Sequence, residues 1–533
     1  MNSDWWRKDL EHIGTSEYRI RASKNNALEI PPPAAEFVPV CKDTGRHQSI
    51  IINQSTTQHN SILKSMKAAI NNGIKKISSL ISSPQAKTMS TSPAATAAAA
   101  FQLAPRLEGL DKPTVWHEFS PLAAEYNAVN LGQGFPDWDP PAFATEAMLQ
   151  AVDPSCGRNA NQYARSYAHM PLAKVLADDY SERFGRTIDP GTEISTAVGC
   201  TNALYCTLQG LIDKGDEVLL LEPAFDLYIA QTKLAGGECK FVPLRSNPEA
   251  TAESSANEAF ILDMDELENA ITDNTKAFII NSPHNPTGKM FSKEEYGKIA
   301  EIMERHPQIT IIADEVYEHI VFDEVNSPHI SFATMPGMYD RTLTLSSSGK
   351  TFSATGWKVG WAVGPPHLVH AVTAVQQWVN FSAPTPNQDA IAQCLIKAKE
   401  PYEGFESYYK WVAAEYKRKR SLLCEALESA GMQPIIPNGG FFIMTDTSTI
   451  DLPEEFLKEK TVAMPTDPMP RDWAMSRYMT KEVGVTAIPP SAFYDTKNVP
   501  LAKNLLRFAY CKGDETIIEA GRRFKAFAEK RKK

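Results

Sequence analysis

Two lysines eight residues apart, Lys350 and Lys358, share the glycine-studded stretch SSSGKTFSATGWKVGWAVG, which holds no other charged residue. An amine in apolar surroundings gives up its proton more readily, which suits it to act as a nucleophile or a base. Other reactive groups stand earlier in the chain, each just past an apolar run. Asn281 and Asn285 follow AFII, Asp314 and then Tyr317 follow ITIIA, and Ser347 and Lys350 follow TLTL. An amide, a carboxylate, a phenol and an amine at successive run ends are the parts of a covalent or proton-transfer site. Singly, each is ordinary: Asn-Pro is a turn signal, an aspartate caps helices, and a lone lysine sits in a solvated turn. Their order makes the combined reading the stronger one. The triplet GKT also suggests a nucleotide-phosphate loop, but that motif needs glycine five positions before the Gly-Lys pair, where Thr344 stands. SATGWKVG moreover reads as a turn into another strand, not as the helix that motif requires.

The elements that must carry these groups are legible in the same way. VLLLEP, AFIIN, ITIIADEVY and TLTLSS are apolar throughout, as strands buried on both faces are, and KEEYGKIAEIMERH has helical spacing. This alternation predicts an α/β fold, a three-layer domain with a mostly parallel sheet, whose ligands lie beyond the carboxyl ends of the strands. After about residue 400 the pattern changes to a long charged helix, short strands at FFIMT and LLRFAY, and a final helix: a smaller α+β domain. The boundaries read as 1–105 leader, 106–134 N-terminal arm of the small domain, 135–400 large domain and 401–533 small domain. The proline- and charge-rich segment 451–472 predicts a mobile loop.

Composition narrows the classes. The chain has 533 residues and a net charge of −10, which argues against a nucleic-acid-binding body. No run approaches the about eighteen apolar residues of a membrane helix. None of the eight cysteines forms a C-x-x-C pair or has histidines at zinc spacing, so no metal is expected and the thiols read as free and mostly buried. The first 100 residues hold twelve Lys/Arg against seven Asp/Glu, with no acid between Asp43 and Glu108. Within this leader, Ile62, Leu63, Met66, Ile70, Ile74, Ile77 and Leu80 recur on an arc of about 120°, with Lys64, Lys67 and Lys75 largely opposite. A basic, serine-rich, acid-free amphipathic helix at 62–82 has the character of a mitochondrial presequence. Its internal position predicts a mitochondrial form starting at Met66 and a cytosolic one at Met89; an untargeted tail is the competing reading.

The phrases NLGQGFPDW, NQYARSY, EPAFDLY, NSPHNPTGK, DEVYEHI, GKTFSATGWKVGW and LLRFAY together resemble the fold-type I pyridoxal-phosphate aminotransferases over essentially all of 105–533. The wording most resembles the kynurenine–oxoglutarate aminotransferases, also known as cysteine-S-conjugate β-lyases. The resemblance implies pyridoxal 5'-phosphate as cofactor, linked covalently to Lys350, which then carries the proton between substrate and cofactor. It implies Asp314 on the pyridine nitrogen, Tyr317 and Asn285 on the phenolic oxygen, and Phe225 stacked on the ring. The backbone amides of Cys200 and Thr201, with Ser347 and Lys358, would hold the phosphate, and Tyr163 would reach in from the other subunit of a homodimer. Arg507 would take the substrate carboxylate, assisted by Gly134 and Asn285, with Trp116 and Phe135 beside the substrate side chain.

The implied reaction moves an amino group from kynurenine, or an aromatic, sulfur or glutamine-type amino acid, to a 2-oxo acid such as 2-oxoglutarate, in cytoplasm or mitochondrion. β-Lyase chemistry at the same site and a regulator without turnover are the alternatives. Relatives in this group carry glycine at Ala168 and often proline at Met170, which the resemblance places near the subunit interface and pocket entrance.

Overall fold

The carboxyl ends of the apolar runs come together because the runs pair side by side. A computed structural model describes residues 103–323 and 326–532; the presequence-like segment 62–82, with Met66 and Met89, lies outside the described residues. The strands are β1 (Ile194–Val198), β2 (Glu217–Glu222), β3 (Glu238–Pro243), β4 (Thr275–Asn281), β5 (Thr310–Asp314), β6 (Thr342–Ser347) and β7 (Val359–Val363). They form one sheet in the order β1-β7-β6-β5-β4-β2-β3. β7 runs antiparallel to both neighbours, and every other neighbouring pair is parallel.

Both faces of this sheet are covered, which is why its central strands lack polar alternation. Val218, Leu220, Ala277, Ile279 and Ile312 face one side, packing with Leu204 and Leu208 of helix Cys200–Leu211 and with Val369 and Val372 of helix Pro366–Val379. Leu219, Leu221, Phe278, Ile280 and Ile311 face the other, against Tyr296, Ile299 and Met303 of helix Lys293–Arg305. That last helix starts where the sequence supplies a capping box. Ser292 Oγ accepts from the Glu295 amide at 3.1 Å and Glu295 Oε2 from the Ser292 amide at 2.9 Å.

Beyond residue 400, helix Tyr408–Ser429 leads to an antiparallel sheet of β8 (Gln433–Ile435), β9 (Phe442–Asp446) and β10 (Leu505–Ala509), and helix Asp514–Arg531 ends the chain. Val129–Asn130 pairs in parallel with Val485–Thr486, which ties the arm before the large sheet to this later part. Segment 451–472 departs from the mobile loop predicted for it. It contains helix Glu454–Leu457, and Phe456 and Met469 are buried with Val115, Phe119 and Trp473. Its few apolar residues suffice to pin a strap that is otherwise polar.

A tight packing limit, against backbone on both sides, lies where β7 crosses the start of helix Cys200–Leu211. A Cβ on Gly360 would fall 2.4 Å from both the Cys200 nitrogen and the Gly199 carbonyl carbon. Gly297, inside helix Lys293–Arg305, has nothing within 4 Å of its Cβ position. Gly360→Ala is expected to destabilise the protein by about 1–3 kcal/mol, and Gly297→Ala to stabilise it by about 0.5–1 kcal/mol. Thermal denaturation of the two variants checks both signs.

Candidate active site

The site begins at the ends of β4 and β5. Asn281 and Asp314 are register partners, and the Asn281 side chain donates from Nδ2 to the Asp314 carbonyl at 2.8 Å. Its Oδ1 accepts the Asn285 amide at 2.7 Å, so the same residue fixes the turn that carries Asn285. The Asp314 carboxylate accepts from the Tyr228 hydroxyl at 2.7 Å and the Val316 amide at 3.2 Å, with the Cys200 sulfur 3.7 Å away. Burial pushes Asp314 above the usual carboxylate range, and these three donors oppose that shift. Burial, reinforced by the Asp314 charge, also raises the Cys200 thiol and the Tyr228 and Tyr317 phenols, so all three stay protonated.

Lys350 lies in a one-turn helix, Ser348–Thr351, directly after β6. Its ammonium donates to the Gly134 carbonyl at 2.7 Å and lies 5.2 Å from the centre of the Phe441 ring. Burial pushes the amine down to about 8, with the Lys358 and Arg507 charges adding to the shift and Cys511 and Asp314 opposing it. The chain then doubles back to Lys358 through left-handed backbone at Ser353 and at Lys358 itself, φ 52° and 53°. Glycine has another purpose here: a Cβ on Gly349 would sit 3.0 Å from the Thr355 Cα.

Lys358 faces the start of helix Cys200–Leu211. Gly199, with φ +78°, precedes this helix, and no side chain caps it. A Cβ there would lie 3.0 Å from Lys358 Nζ. An ammonium beside uncapped helical amides makes a place for an anion.

Arg507 comes from β10, across the cavity, and is fully buried. It donates to Asn285 Oδ1 at 3.2 Å and to the Gly132 carbonyl at 2.8 Å. Its Nε has no partner among the described residues. Phe442, Phe493 and Trp116 enclose the guanidinium, with ring centres 4.2, 5.0 and 5.3 Å from its central carbon. Burial lowers Arg507 to about 10, which leaves it cationic at neutral pH.

A cavity of about 460 Å³ joins these groups. It is lined by Lys350, Asp314, Tyr317, Asn285, Phe225, Cys200, Thr201, Ser347, Lys358, Arg507, Gly134, Trp116 and Phe135, which are all but one of the residues to which the resemblance gives a role at the site. The exception is Tyr163, whose ring is 85% exposed and packs edge-on against Phe381, 5.1 Å between centres. Ala168 and Met170 do not line the cavity either. Ala168 is buried in the core and Met170 opens helix Met170–Phe184. Sequence reading missed Asp226, Tyr228, Phe442 and Phe493. The first two lie inside the phrase EPAFDLY, where their helical offset from Phe225 was the available signal; the two phenylalanines carry none.

An enclosed amine near neutral pKa has a direct signature. Amine labelling of the ligand-free protein, followed peptide by peptide, is expected to give Lys350 an apparent pKa near 8 against the ordinary 10.5. Lys350 titrating together with the surface lysines would refute the enclosure.

Residues 126–523 match the family model for aminotransferase class I and II. The kynurenine–oxoglutarate transaminase of Dictyostelium discoideum is 45% identical over 413 residues, 76% of this chain and 92% of the relative. Human kynurenine–oxoglutarate transaminase 1 is 40% identical over 413 residues, 77% of this chain and 95% of the relative. The crystal structure of Bna3p from Saccharomyces cerevisiae superposes with a TM-score of 0.74 at 31% identity, covering 80% of this chain and 99% of that one. With the strand-end site, the covered parallel sheet and these likenesses in agreement, the chain belongs to the class I and II aminotransferases, on the fold-type I architecture.

Proposed function

We propose that this aminotransferase uses pyridoxal 5'-phosphate to move the amino group of L-kynurenine, or of a similar large L-amino acid, to 2-oxoglutarate. The oxo acid formed from kynurenine then cyclises with loss of water to kynurenate. One observation carries the reading: an amine lowered to about 8 and a buried guanidinium under three aromatic rings share one cavity. The donor named comes from the relatives, and the aromatic cover of Arg507 suits a flat apolar side chain.

The residues present fit the cofactor. The cradle at Gly199, which a Cβ would fill, offers the amides of Cys200 and Thr201 with Lys358 and Ser347 for a phosphate dianion. Asp314 offers a buried carboxylate for a protonated ring nitrogen, Tyr317 and Asn285 offer groups for a phenolic oxygen, and Phe225 offers a flat face. When bound, pyridoxal 5'-phosphate supplies an aldehyde and an electron-accepting pyridinium ring.

The chain's own residues then divide the work. Arg507 binds the substrate α-carboxylate through its planar fork and so orients the α-carbon toward Lys350. Lys350 Nζ, free base above about pH 8, is placed to take the α-proton and would return it on the cofactor side. Asp314, pressed toward neutrality by burial, would be stabilised as a carboxylate by a cation on its cavity side and would keep the ring nitrogen protonated. The apolar rings around Arg507 exclude water from the carboxylate pair.

Tyr163 suits a second copy of the chain. Its exposed ring, with Phe381 against it and Trp378 85% exposed three residues before Phe381, offers an apolar patch for a homodimer. In that dimer Tyr163 reaches the phosphate site of the other subunit.

The holoenzyme given L-kynurenine and 2-oxoglutarate is expected to form kynurenate, followed by chromatography. Lys350→Ala should reduce the rate about a thousandfold, the order of a lost general acid-base group. Arg507→Lys should raise the KM of the donor about tenfold, because a point charge cannot grip both carboxylate oxygens. Turnover of other amino acids without kynurenate would overturn the donor assignment. Lys350→Ala at the wild-type rate would overturn the mechanism.

A further inference from the structure

One acid lining the cavity has no part in the mechanism above. Asp226 opens helix Asp226–Ala235 directly after Phe225, and its Oδ2 accepts the indole N–H of Trp116 at 2.7 Å. Trp116 belongs to helix Val115–Glu125, a separate element 110 residues away in sequence. That helix is packed through Val115 and Phe119 against Trp473, Ile488 and Phe493, and its Glu118 pairs with Arg477 on the helix that carries Trp473. The Trp116 indole, partly buried against the same cluster, covers Arg507, with its ring centre 6.4 Å from that of Phe493.

Phe493 is held by the same short segment of the large sheet. The Ala224 amide donates to the Phe493 carbonyl at 2.7 Å. The fully buried Glu222 carboxylate accepts from Asn498 Nδ2 at 2.6 Å and from the Asp495 amide. Residues 222–226 therefore hold both Trp116 and Phe493, each by a polar bond from the large sheet to an element remote in sequence. Apolar packing gives a ring no polar direction, whereas an indole N–H, which only donates, fixes which edge of the ring faces its carboxylate partner.

The geometry points to Asp226 as a specificity-positioning residue: by fixing the Trp116 indole over Arg507, it shapes the pocket that receives an aromatic substrate side chain. This rests on the proposed function only in assigning the α-carboxylate to Arg507. A purely electrostatic role, as counter-charge to Arg507, is the competing explanation, and the two separate cleanly. Asparagine keeps an oxygen acceptor for the indole but removes the charge.

The test is calorimetric binding to the holoenzyme of 3-phenylpropionate and of propionate, which share a carboxylate, lack the reacting amine and differ in the ring. Asp226→Ala is expected to weaken 3-phenylpropionate about fivefold, the order of one lost hydrogen bond, while propionate changes less than about twofold. Asp226→Asn should restore 3-phenylpropionate to within about twofold of wild type. In a Trp116→Ala background, Asp226→Ala should cause no further loss. Equal loss for both ligands, Asp226→Asn behaving as Asp226→Ala, or additive losses with Trp116→Ala would each overturn the proposal. Because neither ligand is turned over, failure of kynurenine as donor leaves this readout intact.

Discussion

The amide of Asn281, bonded to the carbonyl of its register partner Asp314, is the constraint on which the rest of the site depends. Two neighbouring parallel strands end at one level there, and the bond keeps them from splaying where the ladder stops. Asn285, which the same side chain positions, receives Arg507 from the other sheet. A single asparagine thus links the carboxylate, the turn and the guanidinium. Since helices cover both faces of the sheet, the carboxyl ends of its central strands are the natural outlet for polar chemistry.

Electrostatics explains why that outlet accepts a charged ligand. Burial moves Lys350 down, Arg507 down and Asp314 up, each toward its neutral form. Such a cavity suits a ligand that brings a cation to Asp314 and a carboxylate to Arg507. The helix start at Gly199 adds to this, since its amides have no capping side chain and Lys358 stands beside them. Structural stability and ligand affinity meet at Gly360, whose missing side chain lets β7 lie against those amides.

Much of this was legible in the residues. Continuous apolar runs predicted buried parallel strands, and β2, β4, β5 and β6 form where VLLLEP, AFIIN, ITIIADEVY and TLTLSS stand. Polar residues directly after those runs marked the site, because a strand end is defined locally. Features made by contact between distant segments were not legible. Phe442 and Phe493 cover Arg507 only because β9, β10 and the 490s loop pack together, and nothing in their own neighbourhoods distinguishes them from core aromatics. The strap at 451–472 read as loose because its proline and charge outweigh Phe456 and Met469, yet two anchors in the right place are enough to pin it.

The stretch from Lys350 to Lys358 shows the division most clearly. By itself the sequence determined that two amines stand close together, in apolar surroundings, after a buried strand. It also determined, through Thr344, that they do not belong to a nucleotide loop. Only the tertiary structure decided that Lys350 bonds to the Gly134 carbonyl while Lys358 meets the helix start at Gly199. The fold-back between them rests on left-handed backbone at Ser353 and Lys358, which are not glycines. Such strain persists only where surrounding contacts over-determine it. Local sequence specifies which groups are present and which element carries them; their distances and charge states depend on burial, which belongs to the whole fold.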